Sequence, residues 1–143
     1  GLEFAKRYKI KKKIFNFKKR SISEKAILSE LKKNNINLIC LAGFMRILSK
    51  YFVKNYKGII LNIHPSLLPK YKGLNTHERA IKNKEIYSGC TVHHVNYKLD
   101  SGKIIIQKKV KIRQNDTPNS LSKRILNQEH KLYPKAILKI FNL

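Results

Sequence analysis

Two polar side chains stand at the end of an apolar run in the middle of the chain. Ile59-Ile60-Leu61 is followed by Asn62-Ile63-His64-Pro65, a pattern typical of a buried strand that ends at Pro65. Residues two apart on a strand share a face, so Asn62 and His64 are predicted to project together. Their N–H groups could donate to one oxygen and stabilise a developing negative charge. The alternative is a pair of strand-end polar groups that only cap the loop.

Asp100 is a second candidate, because it is one of only eight acidic residues in the chain. It lies in a loop, Leu99-Asp100-Ser101-Gly102, between two predicted strands. A carboxylate beside His64 would stabilise the imidazolium and favour general-acid catalysis. The alternative is a turn aspartate that hydrogen-bonds its own backbone.

An apolar cluster surrounds a single arginine after an earlier predicted strand. Phe44-Met45-Arg46-Ile47-Leu48 follows a strand that ends at Ala42. Such a cluster suits a flat ring with an anionic tail, and Arg46 would bind the tail. Ordinary core packing is the alternative.

Other titratable residues are weaker candidates for a site. His93 and His94 lie on a predicted strand, where one faces inward and the other outward. A metal site with Cys90 and His64 is conceivable, yet the spacing matches no zinc pattern, so no metal is predicted. Glu129 could bind a substrate or form a surface ion pair. The remaining histidines are predicted on helix surfaces: His77 and His130.

Strands and helices that alternate along the chain must position these residues. Predicted helices cover residues 1–8, 22–33, 49–56, 75–84 and 117–141, and predicted strands cover 9–17, 36–42, 58–63, 89–96 and 103–112. Ser21 and Glu24 fit a capping box, and Thr117-Pro118 fits an N-cap followed by a first-turn proline. The predicted fold class is therefore α/β, a mostly parallel sheet with helices on both faces.

The start of the chain is unusual for such a fold. A doubly wound sheet begins with a strand and often a Gly-rich phosphate loop, whereas this chain begins with part of a helix. We therefore expect residues 1–143 to be a single domain, and a fragment that lacks the first strand, the loop and the following helix.

The charge of the chain invites a nucleic-acid interpretation. Its 32 basic and eight acidic residues give a net charge of +24. The lysines are spread along the whole chain, however, and their clusters show no aromatic stacking pattern. We predict a solvated basic surface that attracts small anions, and no specific nucleic-acid partner.

Length and cysteine content exclude several classes of protein. A chain of 143 residues has the size of one domain. No apolar run approaches the ~20 residues of a membrane span, so no membrane partner is predicted. The two cysteines have no CxxC spacing, which excludes a disulfide framework and suits a cytoplasmic protein.

Three motifs together resemble a known family. They are Leu41-Ala42-Gly43-Phe44-Met45-Arg46-Ile47-Leu48, then Leu61-Asn62-Ile63-His64-Pro65-Ser66-Leu67-Leu68-Pro69, then Leu99-Asp100 with Gly102. In this order and spacing they resemble the phosphoribosylglycinamide formyltransferases, and the likeness extends over essentially the whole chain. The resemblance implies a Rossmann-like formyltransferase fold and a one-carbon transferase of de novo purine (IMP) biosynthesis.

The resemblance also implies substrates and site residues. The formyl donor would be 10-formyltetrahydrofolate and the acceptor the amine of 5'-phosphoribosylglycinamide, with no metal and a monomeric or homodimeric enzyme. The implied catalytic residues are Asn62, His64 and Asp100. The implied folate-binding residues are Arg20, Met45, Arg46, Ile47, Leu48, Asn62, Val95, Asn96, Tyr97, Lys98, Leu99 and Asp100. The implied residues for the other substrate are His93, Leu126, Asn127, Gln128 and Glu129.

The chain departs from the family at its start, where the family's Gly-rich phosphate loop is absent, so the 143 residues alone could be inactive. Two relatives with similar machinery stay open as alternatives: formyltetrahydrofolate deformylase and methionyl-tRNA formyltransferase. A basic nucleic-acid-binding module is the alternative from a different class.

Overall fold

The computed structural model describes residues 1–143, which form two compact units, Gly1–Ile36 and Asn37–Leu143. The first unit consists of helix α1 (Leu2–Arg7) and helix α2 (Arg20–Lys33). The prediction of a helix at the start of the chain is confirmed. The assignment of residues 1–143 to one domain stays a prediction.

Residues 9–17 form no strand, so the edge strand predicted there is wrong. A strand needs a neighbour for its backbone N–H and C=O groups, and no strand pairs with this segment. Its contacts within the first unit are made by side chains instead. Ser23 Oγ donates to the Asn16 carbonyl oxygen at 2.6 Å, and Lys13 pairs with Glu30.

The capping box predicted at Ser21 and Glu24 is also wrong. Helix α2 begins two residues earlier than predicted, at Arg20, and its N-cap, Lys19, makes no side-chain cap hydrogen bond. Glu24 is buried and accepts from Arg20 Nε at 3.1 Å, one helical turn away. That ion pair uses the carboxylate that a capping box would need.

The second unit contains a four-stranded sheet and three helices. In chain order these are β1 (Leu38–Leu41), α3 (Lys50–Asn55), β2 (Ile59–His64), α4 (Thr76–Lys82), β3 (Tyr87–His94), β4 (Ile104–Lys111) and α5 (Pro118–Ile140). The α/β class is confirmed. The strands lie in the order β1-β2-β3-β4, with β1 and β2 parallel and the other two pairs antiparallel.

The mostly parallel pairing that was predicted does not hold for these four strands, because only β1 and β2 pair in parallel. Strand β3 is buried on both faces. One face packs on α5, whereas the other is covered by a loop, residues 66–70. Strands β3 and β4 are joined by a short loop, which permits only antiparallel pairing.

The core of the second unit lies between α5 and the sheet. Leu121, Ile125, Leu132 and Ala136 of α5 pack against Cys90 and Val92 of β3. The spacing of the four α5 residues places them on one face of the helix. The predicted cap is confirmed, because Thr117 Oγ1 accepts from the Ser120 N–H at 3.1 Å and Pro118 is the first helical residue.

Helix α5 continues through Pro134, so this proline does not split it. No helix of the structure combines the length and the apolar composition that a membrane span needs. Both cysteines, Cys40 and Cys90, are free thiols.

Candidate functional site

Strand β2 presents Asn62 and His64 on one face, as the alternation predicted. Between them Ile63 turns to the other face and packs against the core. Register on β3 pairs Asn62 with His93 and His64 with Thr91. Side chains of paired residues share a face of the sheet, so His93 joins the two predicted polar groups.

His64 is buried and held between two oxygen acceptors. Its Nδ1 lies 3.4 Å from Asp100 Oδ2, and its Nε2 lies 2.9 Å from the Tyr71 carbonyl oxygen. A carbonyl and a carboxylate can only accept hydrogen bonds. The Nε2–H of His64 can therefore donate to the Tyr71 carbonyl oxygen, while Nδ1 faces the Asp100 carboxylate.

The loop that carries Asp100 is fixed by its backbone. Asp100 has a φ of +43°, a left-handed conformation that is uncommon for a residue other than glycine and is concentrated at functional sites. Its Oδ2 accepts from the Gly73 N–H at 2.9 Å. Gly102 then lets the chain return beside β3, because a Cβ there would lie 1.6 Å from the His94 carbonyl oxygen.

His93 is the buried neighbour of both Asn62 and Asp100. Its Nδ1 donates to the His94 carbonyl oxygen at 2.8 Å, which leaves Nε2 as an acceptor 3.4 Å from Asn62 Nδ2. Burial lowers the pKa of His93, while the bond to His94 and the charge of Asp100 oppose that shift. A neutral His93 thus orients the amide of Asn62.

A buried polar network holds the segment that follows His64. Thr91 Oγ1 donates to the Ser66 carbonyl oxygen at 2.7 Å and accepts from the Leu68 N–H at 3.1 Å. Gln107 Nε2 donates to the Leu68 carbonyl oxygen at 2.8 Å. These bonds fix the loop that leads to Tyr71 and Gly73, whose backbone groups bind His64 and Asp100.

These groups open into a cavity of about 920 Å³, which is the size of a small-molecule site. The predicted site residues that line it are Met45, Arg46, Ile47, Leu48, Asn62, His64, His93, Val95, Asn96, Lys98, Leu99, Asp100, Leu126 and Glu129. The structure thus brings together predicted residues from β2, β3 and α5 and from the loops that follow β1 and β3.

Three predicted residues of the second unit do not line the cavity: Tyr97, Asn127 and Gln128. Tyr97 is exposed, and its ring contacts the Lys50 ammonium 5.3 Å from the ring centroid. Leu126 and Glu129 are three apart on α5 and share a face, which turns the two residues between them away.

Arg20 belongs to the first unit, where it begins α2 and pairs with Glu24. Its contribution to a folate site stays a prediction, as do the ligand contacts assigned to the other site residues.

Sequence reasoning missed several groups that the structure places at the site. His77 was assigned to a helix surface, yet it lines the cavity and its Nδ1 is buried without a hydrogen-bond partner. Burial and the nearby His64 both lower the pKa of His77. Tyr71 and Gly73 act through backbone atoms, which residue types do not reveal. A glycine near Pro69 was the only available signal for that loop.

Charge within the cavity is mixed. Arg46 and Lys98 are basic, whereas Asp100 and Glu129 are acidic. Burial raises the pKa of Glu129, and the neighbouring His130 opposes the shift. No group of three or more His, Cys, Asp or Glu side chains is arranged to hold a metal ion.

Comparisons with known proteins agree with this geometry. Residues 1–137 match the family model described as formyl transferase. The chain is 43% identical over 121 residues to the phosphoribosylglycinamide formyltransferase of Escherichia coli strain K12, covering 85% of this chain and 57% of the relative. It is 44% identical over 140 residues to the human trifunctional purine biosynthetic protein adenosine-3, covering 96% of this chain and 14% of the relative.

Solved structures give the same result for the fold. The phosphoribosylglycinamide formyltransferase of Brucella melitensis has 44% identity and a TM-score of 0.90, over 99% of this chain and 73% of that one. The enzyme from Anaplasma phagocytophilum has 43% identity and a TM-score of 0.88, over 95% and 66%. The chain thus spans less than two thirds of the E. coli and human relatives.

The fold is therefore the Rossmann-like formyltransferase fold, and the resemblance expected from the three motifs is confirmed. Because the family model matches nearly the whole chain, the chain belongs to the formyl transferase family.

Proposed function

We propose that the protein containing this chain transfers a formyl group from 10-formyltetrahydrofolate to the amine of 5'-phosphoribosylglycinamide, in de novo purine (IMP) biosynthesis. The observation that carries the proposal is the convergence of Asn62, His64 and Asp100 on one cavity. Relatives named phosphoribosylglycinamide formyltransferase, at about 43% identity, support this acceptor over water or an aminoacyl-tRNA.

The reaction exchanges one C–N bond for another. The acceptor amine forms a bond to the formyl carbon, the bond from that carbon to the folate nitrogen breaks, and one proton moves from the amine to the departing nitrogen. Folate supplies the activated formyl group. The chain has to stabilise negative charge on the formyl oxygen and guide the proton.

Asn62 and His64 are the proposed donors to that oxygen. Both lie on one face of β2, at the end of the strand that opens into the cavity. Donation by His64 requires its Nε2–H to exchange the Tyr71 carbonyl for the formyl oxygen, since its Nδ1 faces Asp100. Loss of one such donor typically costs ~2.7–4 kcal/mol of transition-state stabilisation.

Asp100 is proposed to keep His64 charged and to help a water molecule carry the proton to the folate nitrogen. Its carboxylate lies next to the His64 ring and is only 8% exposed. Partial burial strengthens the attraction between a carboxylate and an imidazolium.

The proposed folate pocket is the part of the cavity lined by residues 45–48 and 95–100. Apolar walls from Leu48 and Val95 suit a flat ring, whereas Arg46 and Lys98 suit the carboxylates of its tail. The residues present therefore fit a folate.

The other substrate is proposed to bind at the α5 side of the cavity, near His93 and along residues 126–129. Within that segment Leu126 and Glu129 face the cavity. Glu129 would accept a hydrogen bond from the amine or from the ribose. We propose roles for Asn127 and Gln128 only in placing this turn of α5.

The activity assay compares three formyl acceptors with the full-length protein. We expect formyl transfer from 10-formyltetrahydrofolate to 5'-phosphoribosylglycinamide, and less than about 1% of that rate to water or to methionyl-tRNA, because acceptor contacts made only in the transition state set the selectivity. Release of formate without the amine would indicate a deformylase. Formylation of methionyl-tRNA would indicate the tRNA enzyme.

A matched pair of asparagine variants separates site chemistry from general damage. We expect Asn62→Ala to lower kcat by roughly 100-fold. We expect Asn55→Ala, on the exposed face of α3, to keep it. Equal kcat in both variants would contradict the proposed site.

We also propose that residues 1–143 belong to one formyltransferase domain, because the family match runs through both units. The two free thiols support a reducing compartment such as the cytoplasm. The proposed partners are small molecules only, and the proposed enzyme is a monomer or a homodimer.

A further inference from the structure

The hydroxyl of Tyr133 lies between two strands of the sheet. From α5 it approaches the Leu41 carbonyl oxygen at 3.0 Å and the Leu61 carbonyl oxygen at 3.1 Å. Both distances are ordinary for a hydrogen bond. The hydroxyl proton therefore serves two acceptors that belong to adjacent strands.

These two carbonyls occupy a special place in the sheet. Leu41 is the last residue of β1 and pairs in register with Asn62. Leu61 immediately precedes Asn62 and is completely buried. Tyr133 thus hydrogen-bonds to the residue that precedes Asn62 on β2 and to the residue that pairs with Asn62 on β1. Asn62 is the proposed oxyanion donor.

The surroundings of Tyr133 favour a neutral, donating phenol. Burial is the main cause that raises the pKa of Tyr133, with Cys40 adding to the shift. A phenol that stays protonated keeps its O–H donor across the physiological pH range.

The same helix carries a proposed substrate contact. Glu129 lies four residues before Tyr133, so the two side chains project from neighbouring turns of one face of α5. Glu129 lines the cavity and Tyr133 does not. Tyr133 therefore connects the substrate side of the cavity with the strand that bears Asn62 and His64.

We propose that Tyr133 is a positioning residue: its hydroxyl holds the carboxyl end of β1 and the middle of β2 against α5 and so sets Asn62 relative to Glu129. The proposal rests on the function proposed above. Small displacements of a catalytic group reduce rate strongly, by about 100-fold for a shift near 1 Å.

The test replaces the hydroxyl alone, with Tyr133→Phe in the full-length protein. Tyr87→Phe is the matched control, because Tyr87 is exposed at the start of β3 and lies outside the cavity. We expect Tyr133→Phe to lower kcat at least ~10-fold. The KM for the formyl donor should change less than roughly threefold, since Tyr133 does not touch the cavity.

A second readout does not depend on turnover. In a ¹H–¹⁵N spectrum, the side-chain amide of Asn62, assigned from the Asn62→Ala spectrum, should shift in Tyr133→Phe and stay in place in Tyr87→Phe. A residue that only stabilised the fold would lower the melting temperature and leave both the Asn62 signal and kcat unchanged.

The outcomes separate the two proposals. If the unmodified protein does not transfer the formyl group, the proposed function is overturned. The role of Tyr133 is then tested by the shift of the Asn62 side-chain amide signal. An active protein whose Tyr133→Phe variant keeps kcat and the Asn62 signal would overturn the positioning role alone. A Phe variant that fails to fold would also overturn it, because the hydroxyl would then serve stability.

Discussion

His64 Nδ1 lies 3.4 Å from Asp100 Oδ2, and the same oxygen accepts from the Gly73 N–H at 2.9 Å. One carboxylate therefore contacts both the proposed acid and the loop that follows it. Asp100 can therefore interact electrostatically with His64 and fix the position of the loop through the Gly73 N–H.

Replacing Asp100 by Asn separates these two effects. The amide keeps an oxygen for the Gly73 N–H but removes the negative charge that faces His64 Nδ1. We expect kcat/KM for formyl transfer to fall at least ~100-fold with little change in unfolding free energy. Asp116→Asn is the control, because Asp116 pairs with Arg124 outside the cavity. Near-normal turnover of the Asp100 variant would remove this carboxylate from the mechanism.

Arg46 provides a test of the folate pocket. It lines the cavity beside exposed apolar side chains, of which Met45 is 81% exposed. We expect Arg46→Gln to raise the KM for the formyl donor roughly tenfold and to leave kcat within about threefold, as for a contact made equally in ground and transition states. Steady-state kinetics with the donor varied would measure it. A kcat defect with an unchanged KM would contradict this assignment.

Local patterns predicted strand β2 well because they depend on few residues. Alternation along a strand is a backbone property, so Asn62 and His64 could be placed on one face from the sequence alone. The cap of α5 at Thr117 was equally local. Such short-range rules also located Gly102 and Asp100 in one loop.

The sequence could not reveal contacts that depend on the path of the chain. Strand β3 is buried on one face by a loop rather than by a helix. The residue types of the strand do not show which of the two covers that face. The bond from the Tyr71 carbonyl to His64 involves a backbone atom that every residue possesses. His77 was assigned to a helix surface, yet the fold turns it into the cavity.

The charge of +24 leads to a prediction about nucleic acids. A solvated basic surface binds phosphate backbones without selectivity, and counterion release makes that binding fall steeply with salt. We expect two duplexes of equal length and different sequence to bind with affinities within about threefold of each other. Fluorescence anisotropy at several salt concentrations measures this. A sequence-selective complex at physiological salt would favour the nucleic-acid-binding module.

The cap of α5 should contribute to stability. Thr117 Oγ1 accepts from the Ser120 N–H at 3.1 Å, and the Thr117 N–H donates to Ser120 Oγ at 3.0 Å. We expect Thr117→Ala to lower the unfolding free energy by about 1 kcal/mol, because it leaves an N–H of the first turn without its acceptor. Thr117→Ser keeps the oxygen and should lose less than half of that amount. Equal losses in urea titrations would contradict the cap.

His77 should make stability depend on pH in a defined window. Burial and the charge of His64 lower the pKa of His77 below its usual value of 6.5, and its Nδ1 has no hydrogen-bond partner. Above that value the side chain is neutral in both folded and unfolded states and contributes no pH dependence. Below it, the unfolded chain binds a proton that the folded protein resists, so stability falls as pH falls.

As pH decreases from 7 to 5, we therefore expect the unfolding free energy of the unmodified protein to fall relative to that of His77→Gln. The variant lacks this loss because glutamine does not titrate. The exposed residue His130 provides the control. The unfolding free energy of His130→Gln should change with pH in the same way as that of the unmodified protein over this range. Urea titrations at half-unit pH steps measure all three. A constant difference between His77→Gln and the unmodified protein would mean that the folded state accommodates the charged imidazole.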